Sequence, residues 1–438
     1  MKVVRNVIGY LLAAALLIYG VLLFRSMVQD VPHSKAFGSV FIANGWLIVL
    51  AALAAVALVL LLGSLAYTAL ANRSSGRERS PWPLFRQAVT HVALWILIAV
   101  TYYPVVQVVG ASFDPRNNLF SFRQVKSANL LVRAKVLPDM SGASLANYAK
   151  LVEGVTVPAW QWILMAALGV LLVVALVFAA GRRWNPGAHR LELWQNRTLL
   201  AFAVLLFSGL ALLSPSQFTG ISTESHFVLW VRNTLLLSGA TGLLAVLLTA
   251  TAGYAFARFH FPGRYGMLMG FVFVQMFPGF LALIAIYYLL SSLDLLNTFF
   301  GLLLAYSGGV ISFGTWVFKG YVESLSPSLE EAALIDGASK WGAFVRVLLP
   351  LAAPMFVFIF LLQFVGTYSE FILASLVLTG VKSWTVGIGL YNFTTGSFST
   401  RWGVFAAASV IGSLPILATF YGFQRYFVSG YTAGAVKE

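Results

Sequence analysis

The chain has 438 residues, 60% of them hydrophobic and only 10% charged, with a mean hydropathy of +0.86. Soluble domains carry about 25% charged residues, so an ordinary aqueous globule is excluded and the bilayer becomes the solvent. The net charge of +14 gives no case for nucleic acid, because Lys and Arg sit mostly at the ends of apolar stretches, where insertion bias and anionic lipid account for them.

The absence of cysteine excludes disulfides, thiolate metal sites and cysteine nucleophiles, and the five histidines are scattered. No metal site and no catalytic cluster is expected. Lys2 and Arg5 precede an apolar run from Val7 to Phe24, which reads as a retained first span because it is long for a signal core and Arg25 follows it where a signal peptide would have a small-residue cleavage site. The pattern continues with spans at roughly 46 to 70, 89 to 110, 160 to 180, 198 to 214, 234 to 257, 267 to 290, 299 to 318, 354 to 378 and 404 to 424. The expected fold class is therefore all-α integral membrane, with ten transmembrane helices. With the N-terminus inside, 17 of the 28 Lys and Arg residues fall on that side and six of the others lie in one long outer segment, so both termini are expected in the cytoplasm.

That outer segment, 111 to 158, reads as a small extracytoplasmic fold with strands near Asn129 to Val136. A second outer loop, 379 to 402, is rich in Gly, Thr, Ser and aromatics, a composition suited to an ordered contact loop. The chain divides into 1–88, two accessory helices and a basic loop; 89–158, the first core helix and the outer segment; 159–229, two inserted helices; and 230–438, the core. Spans 1, 2, 4 and 5 are almost wholly aliphatic. Span 3 and spans 6 to 10 form the working core, the last five carrying Gln275, Pro278, Gln363, Glu370 and Pro415.

The loop from Ser326 to Pro354 is the most informative segment. Ser326 is placed to cap a helix, Pro327 fits its first turn, and Leu329, Ala332 and Ala333 share a face. Gly337 stops that helix, and a second amphipathic segment with Trp341, Phe344, Val347 and Leu348 runs to Leu349 and Pro350. Small alanines beside Glu330, Glu331 and Asp336 make a slim acidic helix that suits a groove in a partner; the alternative is an interfacial helix resting on lipid, for which Lys and Arg are the usual choice.

The spacing of Glu331, Ala332, Ala333, Gly337, Val347, Leu348, Leu349 and Pro350 resembles the EAA loop of ABC importer permeases. Trp230 to Phe259 and the stretch from Trp402 to Glu438 are similar to carbohydrate permeases of the MalG type, and the tail residues Thr432, Ala433, Gly434, Val436 and Lys437 match that family's ATPase-contacting motif. The resemblance implies a maltose or maltodextrin type importer subunit that works with a second, MalF-like permease, a MalK-like ATPase dimer and an extracytoplasmic sugar-binding protein. It also implies that ATP and Mg are used by the ATPase, with no cofactor on this chain. MalG-type permeases have six spans, so spans 1, 2, 4 and 5 are additions whose role the resemblance leaves open.

Gln275, Gln363, Tyr368 and Glu370 are candidates for the translocation path, with an interhelical structural bond as the other reading of Glu370. Asn233 is expected to cap span 6. Pro278 and Pro415 allow kinks. No Gly-Lys pair occurs, so a phosphate-binding loop of the G-x4-G-K-[ST] type is absent. The rivals are an ion-coupled secondary transporter using Glu370, and an integral membrane enzyme, against which stands the lack of clustered acid and base groups.

Overall fold

The computed structural model describes residues 45–75, 80–116, 132, 137–156, 158–184, 194, 198, 209, 213–218, 223–395 and 401–435. The first expected span, nearly all of the fifth, the suggested strands at 129–136 and the residues 396–400 of the second outer loop lie outside them.

The described helices are α1 (Gly45–Ser75), α2 (Trp82–Ser112), α3 (Ala146–Val152), α4 (Ala159–Trp184), α5 (Phe227–Arg258), α6 (Arg264–Met276), α7 (Gly279–Ser292) and α8 (Phe299–Ser324). They continue with α9 (Ser328–Ile335), α10 (Lys340–Ala343), α11 (Ala353–Ser369), α12 (Ile372–Val377), α13 (Val386–Thr394) and α14 (Trp402–Ala435). Among the described residues there is no strand, only an isolated bridge between Val155 and Phe218. The chain splits into two compact units, one made of residues 1–106 and 121–136 and the other of 107–120 and 137–438, so that one boundary falls within α2 between Val106 and Gln107.

Among the described residues five helices are long and apolar enough to cross a membrane, and up to seven if each bent pair counts as one span. The first bent pair is α6 and α7, which turn by 100° at Phe277 and Pro278. Proline supplies no amide hydrogen and pushes the preceding residue toward extended backbone, and Phe277 is extended at φ −73 and ψ 128. The expected span 354 to 378 is also not one helix: the backbone leaves helical geometry at Glu370 and restarts as α12. Pro415, by contrast, sits inside an unbroken α14, since one lost amide bond is tolerated where the remaining ladder and neighbouring packing hold.

In the second unit α5 is the central helix. Against α8 its backbone comes very close: a Cβ added at Gly314 would lie 2.0 Å from Thr249 Cγ2, and one at Gly253 2.8 Å from Phe318. Small residues at such a crossing bring packing surfaces together where lipid removes the hydrophobic incentive. Toward its Phe227 end, α5 packs Phe227, Trp230 and Leu235 with Phe364, Tyr368, Val386, Phe393 and Val404. Toward its Arg258 end, Ala250 and Tyr254 join Phe318, Val322, Phe344 and Leu348. A third cluster gathers Leu237, Leu290, Leu302, Leu373 and Val377.

Candidate functional site

The helix–glycine–helix loop is present, with one change at its start. α9 begins at Ser328 with Pro327 as its N-cap, and the Ser326 hydroxyl pairs with the Ser328 hydroxyl at 2.7 Å in place of a backbone amide. Pro327 stands at φ −59, already near helical values, and its carbonyl accepts from the amides of both Glu330 and Glu331 at 3.0 Å. Ser326 therefore does not cap α9 with its side chain. Glu330 and Glu331 in the first turn complement the positive helix end.

At the other end Gly337 adopts φ +86, the left-handed region that glycine enters without a Cβ penalty. Its amide bonds to Leu334 O at 3.1 Å and the Ala338 amide to Ala333 O at 2.9 Å, the paired closing bonds of a Schellman stop. Leu329 is 46% exposed and Ile335 86% exposed. Ala332, Glu331 and Asp336 are exposed as well, while Ala333 is half-buried. Much of the apolar side of α9 is thus left uncovered by its own chain.

Glu330 differs from its neighbours. Its Oε1 accepts from Arg258 Nε at 2.7 Å and its Oε2 from Tyr254 OH at 3.0 Å, and both charged side chains are largely covered. Arg258 Nη2 also donates to Leu325 O at 3.1 Å, so one guanidinium holds the end of α8 and the start of the loop. Behind this pair, Phe344 packs against Tyr254 with ring centroids 4.5 Å apart and the planes tilted by 37°, and Leu348 is buried beside it. Trp341 is 67% exposed. Residues Phe344–Leu348 form a π turn, with the Leu349 amide reaching back to Phe344 O. Leu349 is half-buried and Pro350 exposed, in a helical turn Leu349–Leu351 that bends into α11.

At the far end of α5 three side chains hold the segment 381–386. Trp230 Nε1 donates to Val381 O at 2.7 Å, and Asn233 Nδ2 to Lys382 O at 2.9 Å and Trp384 O at 3.0 Å. The Val386 amide donates to Thr234 Oγ1 at 2.8 Å. Asn233 is therefore not a helix cap: α5 starts six residues earlier, at Phe227, and the Asn233 amide reaches across to another segment. Gly389 lets α13 lie against Trp230, since a Cβ there would fall 2.1 Å from the indole. Arg401 pairs with Glu224 next to this region.

The candidate path residues do not converge. Gln275 is exposed at the end of α6, and Gln363 donates to Thr367 Oγ1 one helical turn along its own helix, at 3.1 Å. Tyr368 is buried and donates to Gly412 O at 2.7 Å, a brace between α11 and α14. Glu370 accepts from Tyr306 OH at 2.5 Å and from the amides of Leu373 at 2.7 Å and Ala374 at 3.2 Å. Thr432, Ala433 and Gly434 belong to the last turns of α14, while Val436 and Lys437 lie outside the described residues.

Tyr254, Arg258, Trp230 and Tyr306 were missed in the sequence. Each meets a partner 64 to 151 positions away, and no local spacing encodes such a pairing. Arg258 at the end of an apolar span looked like an ordinary membrane-interface cation.

Several long apolar helices, two bent helix pairs and an exposed loop helix among the described residues define a polytopic membrane protein. Residues 245–432 match the model of the family described as binding-protein-dependent transport system inner membrane component. The chain is 38% identical over 288 residues to the maltose/maltodextrin transport system permease protein MalG of Vibrio vulnificus, covering 64% of this chain and 93% of that one. It is 42% identical over 232 residues to MalG of Escherichia coli, covering 51% of this chain and 78% of that one. The fold is similar to a crystal structure of a bacterial ABC transporter involved in the import of the acidic polysaccharide alginate, with TM-score 0.53, 17% identity and coverage of 80% of this chain and 99% of that one. The chain belongs to the binding-protein-dependent transport system inner membrane component family, as a MalG-like permease of an ABC sugar importer. It is an inner-membrane transport subunit and not an enzyme; ATP hydrolysis is the work of a separate subunit.

Proposed function

We propose that this permease carries maltose, maltodextrin or a related oligosaccharide inward by alternating access, driven through its 326–354 loop by a MalK-like ATPase dimer. The observation that carries the reading is α9: a slim helix with a glycine stop and an exposed face formed by Leu329, Glu331, Ala332, Ile335 and Asp336. Such a face fits a groove, and Glu331 and Asp336 have no side-chain partner among the described residues. The maltose/maltodextrin names of the relatives support the substrate class.

A MalF-like permease completes the pathway, and a sugar-binding protein meets the outer loop 379–402. The tail at Thr432, Ala433, Gly434, Val436 and Lys437 adds a second ATPase contact. ATP and Mg belong to the ATPase. The chain has ten spans with both termini cytoplasmic, which puts α9 and the Arg258 end of α5 on the cytoplasmic face. The 100° break between α6 and α7 and the break at Glu370 are places where the core changes shape.

The experiment is co-expression with the partner genes, purification, and measurement of sugar-stimulated ATP hydrolysis. Glu331→Lys reverses the charge presented to the partner, and Gly337→Pro cannot adopt φ +86. Both variants are expected to lose co-purifying ATPase and sugar stimulation. Unchanged assembly and coupling in both would sink the docking role, and sugar uptake by the chain without any ATPase would restore the secondary-transporter reading.

A further inference from the structure

Both oxygens of Glu330 are taken inside the chain, by Arg258 and Tyr254 of α5. A carboxylate held this way, in a side chain only 13% exposed, is turned away from a docking partner, although it sits in the first turn of the docking helix. Its neighbour Glu331 is exposed. The two adjacent glutamates therefore divide the work by helix geometry, one pointing out and one pointing in.

α5 itself is an unbroken helix of 32 residues with no internal proline. At 1.5 Å per residue it is about 48 Å long, more than the full thickness of a bilayer with its headgroups. Its Arg258 end holds α9 and Leu325, and its opposite end holds Val381, Lys382, Trp384 and Val386 through Trp230, Asn233 and Thr234. One rigid element thus grips the cytoplasmic docking helix and the outer loop at once.

We infer that Glu330 is a positioning residue that fastens α9 to α5, and that α5 is the rod that carries the docking helix's movement to the outer loop at 381–386. The inference rests on the coupling role proposed above. A stiff helix moves as a body, so displacement of α9 reaches the outer loop without a chain of side-chain rearrangements, provided the joint at Glu330 does not slip. The charged pair and the tyrosine bond make that joint, and the Tyr254–Phe344 ring contact seats it.

The test uses the whole importer in lipid nanodiscs, with maltodextrin-loaded binding protein as the stimulus. Glu330→Ala and Arg258→Ala are expected to keep the ATPase in the purified complex while stimulation of ATP hydrolysis falls about tenfold, the scale of an ordinary coupling free energy. The exchanged pair, Glu330→Arg with Arg258→Glu, restores stimulation, which a residue needed only for folding would not do. Loss of the ATPase from Glu330→Ala but not from Arg258→Ala would make Glu330 a docking group and overturn the proposal. Full stimulation in both single variants, or none in the exchanged pair, overturns it too.

The cysteine-free chain offers a second arm should the single variants not fold. Glu330→Cys with Arg258→Cys is expected to be uncoupled until a short bifunctional methanethiosulfonate bridges the pair, and coupled afterwards. A bridge that abolishes stimulation would show that the joint must open. Failure of the underlying coupling role looks different, because the unaltered chain would then retain no ATPase at all.

Discussion

Glu370 stands at the break between α11 and α12, and where its lone pairs go decides what it does. Two of its three bonds come from backbone amides at the start of α12, and the third from Tyr306 on α8. It thus satisfies donors that the break at residue 370 leaves without helical partners, in a setting where each unmet donor is costly. Glu370→Ala is expected to lower the detergent-solubilised unfolding temperature, with a cost of about 1–3 kcal/mol for each buried donor stranded. Glu370→Gln keeps one good acceptor and is expected to keep most transport. A Gln variant with normal stability and no transport would instead mark an ion-coupling carboxylate.

The Gly337 stop could be read directly from the sequence, because a left-handed turn is a property of one residue and its neighbours. The inward turn of Glu330 could not, since Arg258 stands 72 positions away.

Among the elements, the α5 and α8 contact is where packing is tightest. A side chain at Gly314 meets the Thr249 methyl at 2.0 Å, but the Thr249 Cβ only at 3.1 Å and its hydroxyl at 3.7 Å. Gly314→Ala is therefore expected to destabilise the bundle by about 1–3 kcal/mol through overpacking. Thr249→Ser removes the offending methyl and keeps the hydroxyl that bonds Ala245 O at 2.7 Å, so it is expected to recover most of the loss in the double variant. Thermal unfolding of the four proteins in the cycle checks this, and additive rather than compensating effects would contradict the contact.

Element boundaries were legible where a residue acts locally. Pro278 marks its break because the missing amide and the clash with Phe277 are covalent facts. The break at Glu370 carries no such mark: it is held by Tyr306 and by the amides it caps, and only the folded chain brings these together. The start of α5 was placed too late because Asn233 was read as the cap of a span beginning at 234. In the fold Asn233 is buried against the 382–384 carbonyls.

On the scale of the molecule, composition and the apolar runs sufficed for an all-helical membrane protein, and the loop from Ser326 to Pro354 for its family. Packing between distant helices supplied what pattern could not, namely that the joint between α9 and α5, the grip of α5 on 381–386 and the Glu370 cap all come from residues 223–395. That stretch lies in the second compact unit, and α1 belongs to the first. The alignment to the Vibrio vulnificus MalG covers 93% of that permease with only 64% of this chain, which leaves residues here with no counterpart there. The N-terminal region, expected from the sequence to be accessory, is therefore predicted to be separable from the proposed coupling path. A chain started at Ser80, with an initiating methionine, keeps α2 whole and begins on the same side of the membrane as the proposed N-terminus. It is expected to insert, to co-purify the ATPase and to retain most sugar stimulation. Blue-native electrophoresis and the hydrolysis assay read assembly and coupling separately. Loss of assembly on this truncation would mean that residues before 80 hold a partner, and the coupling path would then extend beyond α5 and α9.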